Sequence, residues 1–86
     1  MRAPPAPGAV VKHSLSIAGH RTSVSLEAAF WTQLRALAAA RGVSVAALAA
    51  EIDATRGEAN LSSAIRVRLL EEALAQARPR AVTGAD

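Results

Sequence analysis

The feature that most constrains this chain is a change of period with no turn between. The stretch RTSVSLEAAFW, Arg21 to Trp31, begins with hydroxyl and apolar residues in alternation and passes directly into a helical pattern. Alternation puts Ser23 and Ser25 on one face of a strand and Val24 and Leu26 on the other. A lone strand of about five residues leaves its own backbone groups unpaired, so it must pair with something. What it pairs with decides the fold.

A partner lies just upstream. Val10 to Leu26 reads as strand, turn, strand, with strands over about 12–18 and 21–26. Gly19-His20 suits the two central positions of a tight hairpin turn, with Gly first as a type II′ turn prefers. This choice predicts a register in which Ala18 faces Arg21, Ile17 faces Thr22, Ser16 faces Ser23, Leu15 faces Val24 and Ser14 faces Ser25. Every large aliphatic then falls on one face and every serine on the other, as period 2 demands.

Three helices follow. The first is predicted over 27–41, with Phe30, Leu34, Leu37 and Ala38 in one stripe and Trp31 beside it. Glu27 in its first turn and Arg41 in its last complement the helix dipole, and Gly42 is the natural left-handed terminator. Ser44 is the expected N-cap of a second helix over 44–55, lined by Val45, Leu48, Ala49 and Ile52. A third helix is predicted over 62–77, capped by Asn60 or Ser62 and stopped before Pro79, with Leu61, Ile65, Leu69, Ala73 and Leu74 as its apolar stripe. Residues 1–9, with Pro4, Pro5, Pro7 and Gly8, are expected to form a flexible lead, and residues 78–86 a loose tail. The folded unit is residues 10–77, mostly α with a short β ribbon.

At 86 residues the chain holds one domain at most. Apolar residues make up 51%, yet there is one Phe, one Trp and no Tyr, and alanine supplies much of the rest. The core of a single copy should therefore be thin. With no cysteine for a disulfide or a thiolate metal site, pairing with a second copy is the expected remedy. The net charge of +3 is uneven, since residues 1–26 carry Arg2, Lys12 and Arg21 and no acid. A basic N-terminal arm on a near-neutral helical body suits a polyanion partner. No apolar run approaches a membrane span, and MRAPPAPGAVV lacks the apolar stretch of a secretory signal, so a cytoplasmic location is expected and no membrane partner.

Catalysis finds little support. His13 and His20 both lie in the ribbon with no metal-ligand spacing, the five glycines are scattered singly, and the adjacent Glu71 and Glu72 point in different directions from a helix. Nothing places a base near a serine. The expectation is a protein that is not an enzyme and carries no metal or cofactor.

The order strand, helix, Gly-x-Ser turn, helix resembles the ribbon–helix–helix DNA-binding family, the group of the Arc and methionine repressors. The matching residues are RTSVSLEAAFWTQLRALAAARGVSVAALAAEIDAT, Arg21 to Thr55, and the likeness extends to a bacterial subgroup that continues into NLSSAIRVRLLE. The resemblance implies a cytoplasmic homodimer that binds double-stranded DNA and regulates transcription as a repressor. It implies that the strand pairs antiparallel with its mate from a second chain, with Arg21, Ser23 and Ser25 entering the major groove and Thr22, Val24 and Leu26 facing inward. Val24, Leu26, Leu48 and Ile52 would form the dimer core. Val43, Ser44 and Val45 at the second helix, together with Lys12, would hold backbone phosphates. The chemistry is compatible, because Arg can grip guanine and Ser can bond to several base edges.

Two features depart from that pattern. Ala46 stands where the family often has Ser or Asn. If Lys12 to Ala18 also pairs with Arg21 to Leu26, the dimer would hold a four-stranded sheet, too broad to lie flat in one groove. The outer strands could curl away, Lys12 to Ala18 could be an arm that settles on DNA, or the usual docking does not apply; the sequence leaves these open. The alternative class is a protein-interaction or oligomerisation module, including an antitoxin that holds a protein partner.

Overall fold

The computed structural model describes residues 3–77, which form β1 (Val10–Ile17), β2 (His20–Glu27), α1 (Ala28–Arg41), α2 (Val45–Thr55) and α3 (Leu61–Ala77). The tail expected over 78–86 lies outside the described residues. Two antiparallel strands followed by three helices make the predicted fold, a β ribbon on a mostly helical body.

Lys12 to Ile17 is thus part of a strand and not a free arm, with Ala18 in the turn: β1 and β2 pair within one chain. The turn is Ala18-Gly19, one residue earlier than the sequence predicts. Both residues have positive φ, 52° and 82°, the left-handed pair of a type I′ turn, whose twist matches that of the strands. The shift re-pairs the ladder, so that Ile17 faces His20, Leu15 faces Thr22, Ser14 faces Ser23 and Lys12 faces Ser25. Opposite partners move by two positions, which with a side-chain period of 2 leaves both faces as predicted.

The first turn of α1 is held from outside the helix. The Ala28 amide donates to the Ala9 carbonyl at 2.8 Å, and the Ala29 amide to the Pro7 carbonyl at 3.0 Å. These bonds tie down the end of the lead that the sequence predicts to be flexible. They also satisfy two of the amides that every helix start leaves free. Glu27 therefore closes β2 and does not open the helix; its backbone is extended, with φ −60° and ψ 147° and no side-chain cap.

The other helix ends follow local chemistry. Gly42, at φ 70°, donates to Ala39, and the Val43 amide donates to the Ala38 carbonyl at 3.0 Å, which closes α1 as a Schellman turn. Ser44 Oγ accepts from the Ala47 amide at 3.0 Å and caps α2. Asn60, of the two candidates, caps α3, its Oδ1 accepting from the Ser63 amide at 2.8 Å.

The helices pack against the apolar face of the ribbon. Val24, Leu26, Trp31, Leu34, Ala38, Leu48, Ile52, Ile65 and Leu69 form one buried cluster, flanked by half-buried Val11, Leu15, Phe30, Leu37, Val45, Leu61 and Ala64. The buried line of α1 is Trp31, Leu34 and Ala38, rotated by one residue from the predicted stripe, because the Trp31 ring turns under the ribbon. Its Nε1 donates to the Val11 carbonyl at 2.8 Å.

On α3 the inner line of Leu61, Ile65 and Leu69 continues at Glu72, which reaches Arg41 at 2.9 Å where the helix clears the core. Leu74, predicted to point inward, is 60% exposed. Five residues past Leu69 it has turned about 140° away from the core. It shares a second, outward line with Val67 and Leu70, which are also exposed. No helix among the described residues is long and apolar enough to cross a membrane.

Candidate nucleic-acid interface

The polar face of the ribbon is assembled from both strands. In sequence order it carries Lys12, Ser14, Ser16, Arg21, Ser23 and Ser25, arranged as the opposite pairs Lys12–Ser25, Ser14–Ser23 and Ser16–Arg21. All are exposed except Ser25, which is half-buried. The bond from Ala28 to Ala9 continues the ladder register and fixes its phase. Counting back along the ladder, these three are non-hydrogen-bonded pairs, in which opposite side chains stand closest. The same phase points the backbone groups of Arg21, Ser23 and Ser25 toward the free edge of β2.

Charge is distributed to favour this face. Arg41 binds Glu51 at 3.1 Å and Glu72 at 2.9 Å, Arg68 also binds Glu51 at 3.1 Å, and Arg56 pairs with Asp53. The bridges of Arg41 and Arg68 knit the three helices together, and all three of these arginines are neutralised. Among the described residues, Lys12, Arg21 and Arg35 make no ion pair, and two of those three stand on the ribbon face. The one acid at the end of that face, Glu27, is held by Arg66 at 2.9 Å. The hydrogen bond from Arg66 keeps the Glu27 carboxyl below its ordinary value of 4.5. Arg66 in turn lies over the Phe30 ring, 5.9 Å from its centre. Glu51 is likewise held low, first by the bond from Arg68.

The other residues singled out from sequence are dispersed. Val24, Leu26, Leu48 and Ile52, expected as a dimer core, are all buried within this one chain. They share one cluster with Trp31, Leu34 and Ala38 of α1 and with Ile65 and Leu69 of α3, a helix that a chain with one strand and two helices would lack. Val43 was expected at a phosphate, but its amide is spent on the Ala38 carbonyl. Ser44 and Val45 stand at the start of α2, where the Ser44 hydroxyl already caps the helix. His20 opens β2 and does not sit in the turn. His13 meets Trp31 edge-on at 4.7 Å. No group of three or more potential metal ligands exists among the described residues.

Sequence reasoning did not assign Ser14 and Ser16 to the site, although alternation had placed them on the serine face. It also missed the Glu27–Arg66 pair, because residues 39 positions apart share no local signal.

A polar, cationic ribbon face carried on a helical body defines a class. The chain belongs to the ribbon-helix-helix domain family, whose model matches residues 10–73. The domains of this family generally bind DNA and dimerise, and the fold is a non-enzymatic one. Among solved structures, the chain is similar to an uncharacterized protein from Bordetella pertussis Tohama I, at 36% identity and a TM-score of 0.74, over 96% of this chain and 73% of that one. No curated protein matches.

Proposed function

We propose that the protein is a cytoplasmic, sequence-specific regulator of transcription, a repressor that acts as a homodimer and presents its ribbon face to the major groove of double-stranded DNA. The observation that carries this reading is the segregation of charge: among the described residues the cations of the helical body are paired except Arg35, while Lys12 and Arg21 stand unpaired among four serines. Arg21, Ser23 and Ser25 read base edges, since arginine grips guanine O6 and N7 and serine bonds to several bases. Lys12 and the α2 start at Ser44 and Val45 hold phosphates, which set position and not sequence. Val43 drops out of that set.

Selection of the purified protein against a random duplex library at physiological salt tests the reading. An enriched inverted repeat is expected, because a two-fold dimer imposes palindromy on its site. Retention without enrichment would leave a binder of phosphates alone, and no retention would remove DNA from the account. A second reading, an interaction module that holds a protein partner, is favoured by the exposed line of Val67, Leu70 and Leu74 on α3. Salt separates the two. DNA binding held by phosphate contacts collapses between about 50 and 200 mM salt, whereas docking on an apolar line does not.

A further inference from the structure

A homodimer of this chain brings four strands to DNA, because each copy supplies β1 as well as β2. We infer that the two β1 strands grip the sugar–phosphate walls of the major groove, with Ser14 and Ser16 joining Lys12 as phosphate-contacting residues, while the paired β2 strands read bases between them. The inference rests on the DNA-binding homodimer proposed above and adds to it two residues and a division of labour between the strands.

The free edge decides the order of the strands. β1 covers one edge of β2, and the other edge has no partner among the described residues. The backbone groups that point outward there belong to Arg21, Ser23 and Ser25. A second β2 that pairs antiparallel about Ser23 completes hydrogen-bonded pairs along that edge. The strand order is then β1-β2-β2-β1, with the serine faces of both copies on one side and Lys12, Ser14 and Ser16 of each copy on an outer strand.

Width sets where the outer strands lie. Strands stand about 4.8 Å apart, which puts the two β1 backbones about 14 Å apart. The major groove is about 12 Å wide. The β2 pair fits between its walls and the β1 pair does not. As the central strands enter, the outer ones ride up onto the walls, a curvature that sheets gain as they twist and coil. The breadth that keeps the sheet from lying flat in the groove thus carries β1 to the phosphates.

The chemistry of β1 suits that position. Lys12, Ser14 and Ser16 are exposed, Lys12 makes no ion pair, and neither serine hydroxyl has a hydrogen-bond partner among the described residues. An ammonium and two hydroxyl donors at alternate positions can serve phosphate oxygens without reading sequence. From Lys12 to Ser16 the strand advances about 14 Å at roughly 3.4 Å per residue. That passes several charges of a DNA strand that carries one per about 3.4 Å of axis. The one acid of the two strands, Glu27, is already held by Arg66.

The test measures affinity of the full-length protein, Ser14→Ala, Ser16→Ala and Ser23→Ala for a selected duplex and for an unrelated one. Thermal melts and sedimentation first establish that each variant folds and pairs as the parent does. Ser14→Ala and Ser16→Ala are expected to weaken binding to both duplexes by the same several-fold factor with base preference unchanged, whereas Ser23→Ala relaxes the preference. In the parent, a neutral methylphosphonate in place of a wall phosphate should also cost several-fold, and that loss should vanish in the variant whose hydroxyl had met it. If Ser14→Ala and Ser16→Ala shift base preference, β1 reads the groove floor and the inference is overturned. If both bind the two duplexes as tightly as the parent, β1 lies off the DNA and the inference is overturned as well. A parent protein that retains no duplex fails before any substitution is made, and removes the DNA reading itself.

Discussion

Ala18 holds a left-handed backbone, φ 52°, that an L-residue with a Cβ adopts at a cost of about 1–2 kcal/mol. Asparagine tolerates this region, and Asn-Gly is the preferred pair for a type I′ turn. Ala18→Asn is therefore expected to stabilise the protein by about 1 kcal/mol, which in a domain of this size raises Tm by about 4–8 °C; calorimetry reads it directly. The same residue explains why the turn was misplaced from sequence. Alanine carries no turn signal, so the rule that Gly comes first pointed to Gly19-His20. The strands preferred the turn whose twist suits them, and Gly19 serves as its second residue. Cap residues were easier to read. Ser44 and Gly42 act through bonds within a few positions of themselves, and the structure puts both in the expected roles.

At the scale of elements, α3 separates two lines of apolar residues that the sequence merged. Leu69 is buried and Leu70 is 57% exposed. Leu69→Ala should cost about 2–5 kcal/mol through reduced burial and the cavity left behind, whereas Leu70→Ala should stay within about 0.5 kcal/mol. Urea melts of the two variants check which line faces the core. Alternation made the two faces of the ribbon legible, since a period of 2 survives any even shift of register. The boundary between β2 and α1 was less so, because the carbonyls of Pro7 and Ala9 that take the first α1 amides lie about twenty residues away. For function, the ribbon predicts a salt dependence. Lys12→Ala should reduce the slope of log affinity against log salt by about one, whereas Arg21→Ala should relax the preference for guanine at its position, both measured by anisotropy with labelled duplexes.

For the whole molecule, stability should depend on acid in one direction. Glu27 and Glu51 have carboxyls held below their ordinary 4.5 by Arg66 and Arg68. A depressed folded value contributes stability that is fully present above the unfolded value and is lost as pH falls through the folded one. The urea midpoint should accordingly be level down to about pH 5 and decline below it, and Arg66→Gln should remove the share that belongs to Glu27. The long-range pairing behind this dependence was invisible in sequence, as was the fact that one chain encloses Leu48 and Ile52 without help. A scarcity of large apolar residues suggested a thin core, but the hairpin and α3 both fold over it and cover what two helices alone would leave open. The lone tryptophan has a consequence for how such questions can be followed. With no tyrosine in the chain, its intrinsic fluorescence comes from Trp31, a ring enclosed between α1 and the ribbon and bonded to Val11. That ring looks at the ribbon from behind, on the side away from Lys12 and Arg21. Its emission should stay constant when a rigid ribbon docks, and shift only when the ribbon lifts from the helices, so every binding titration also reports whether the scaffold has moved.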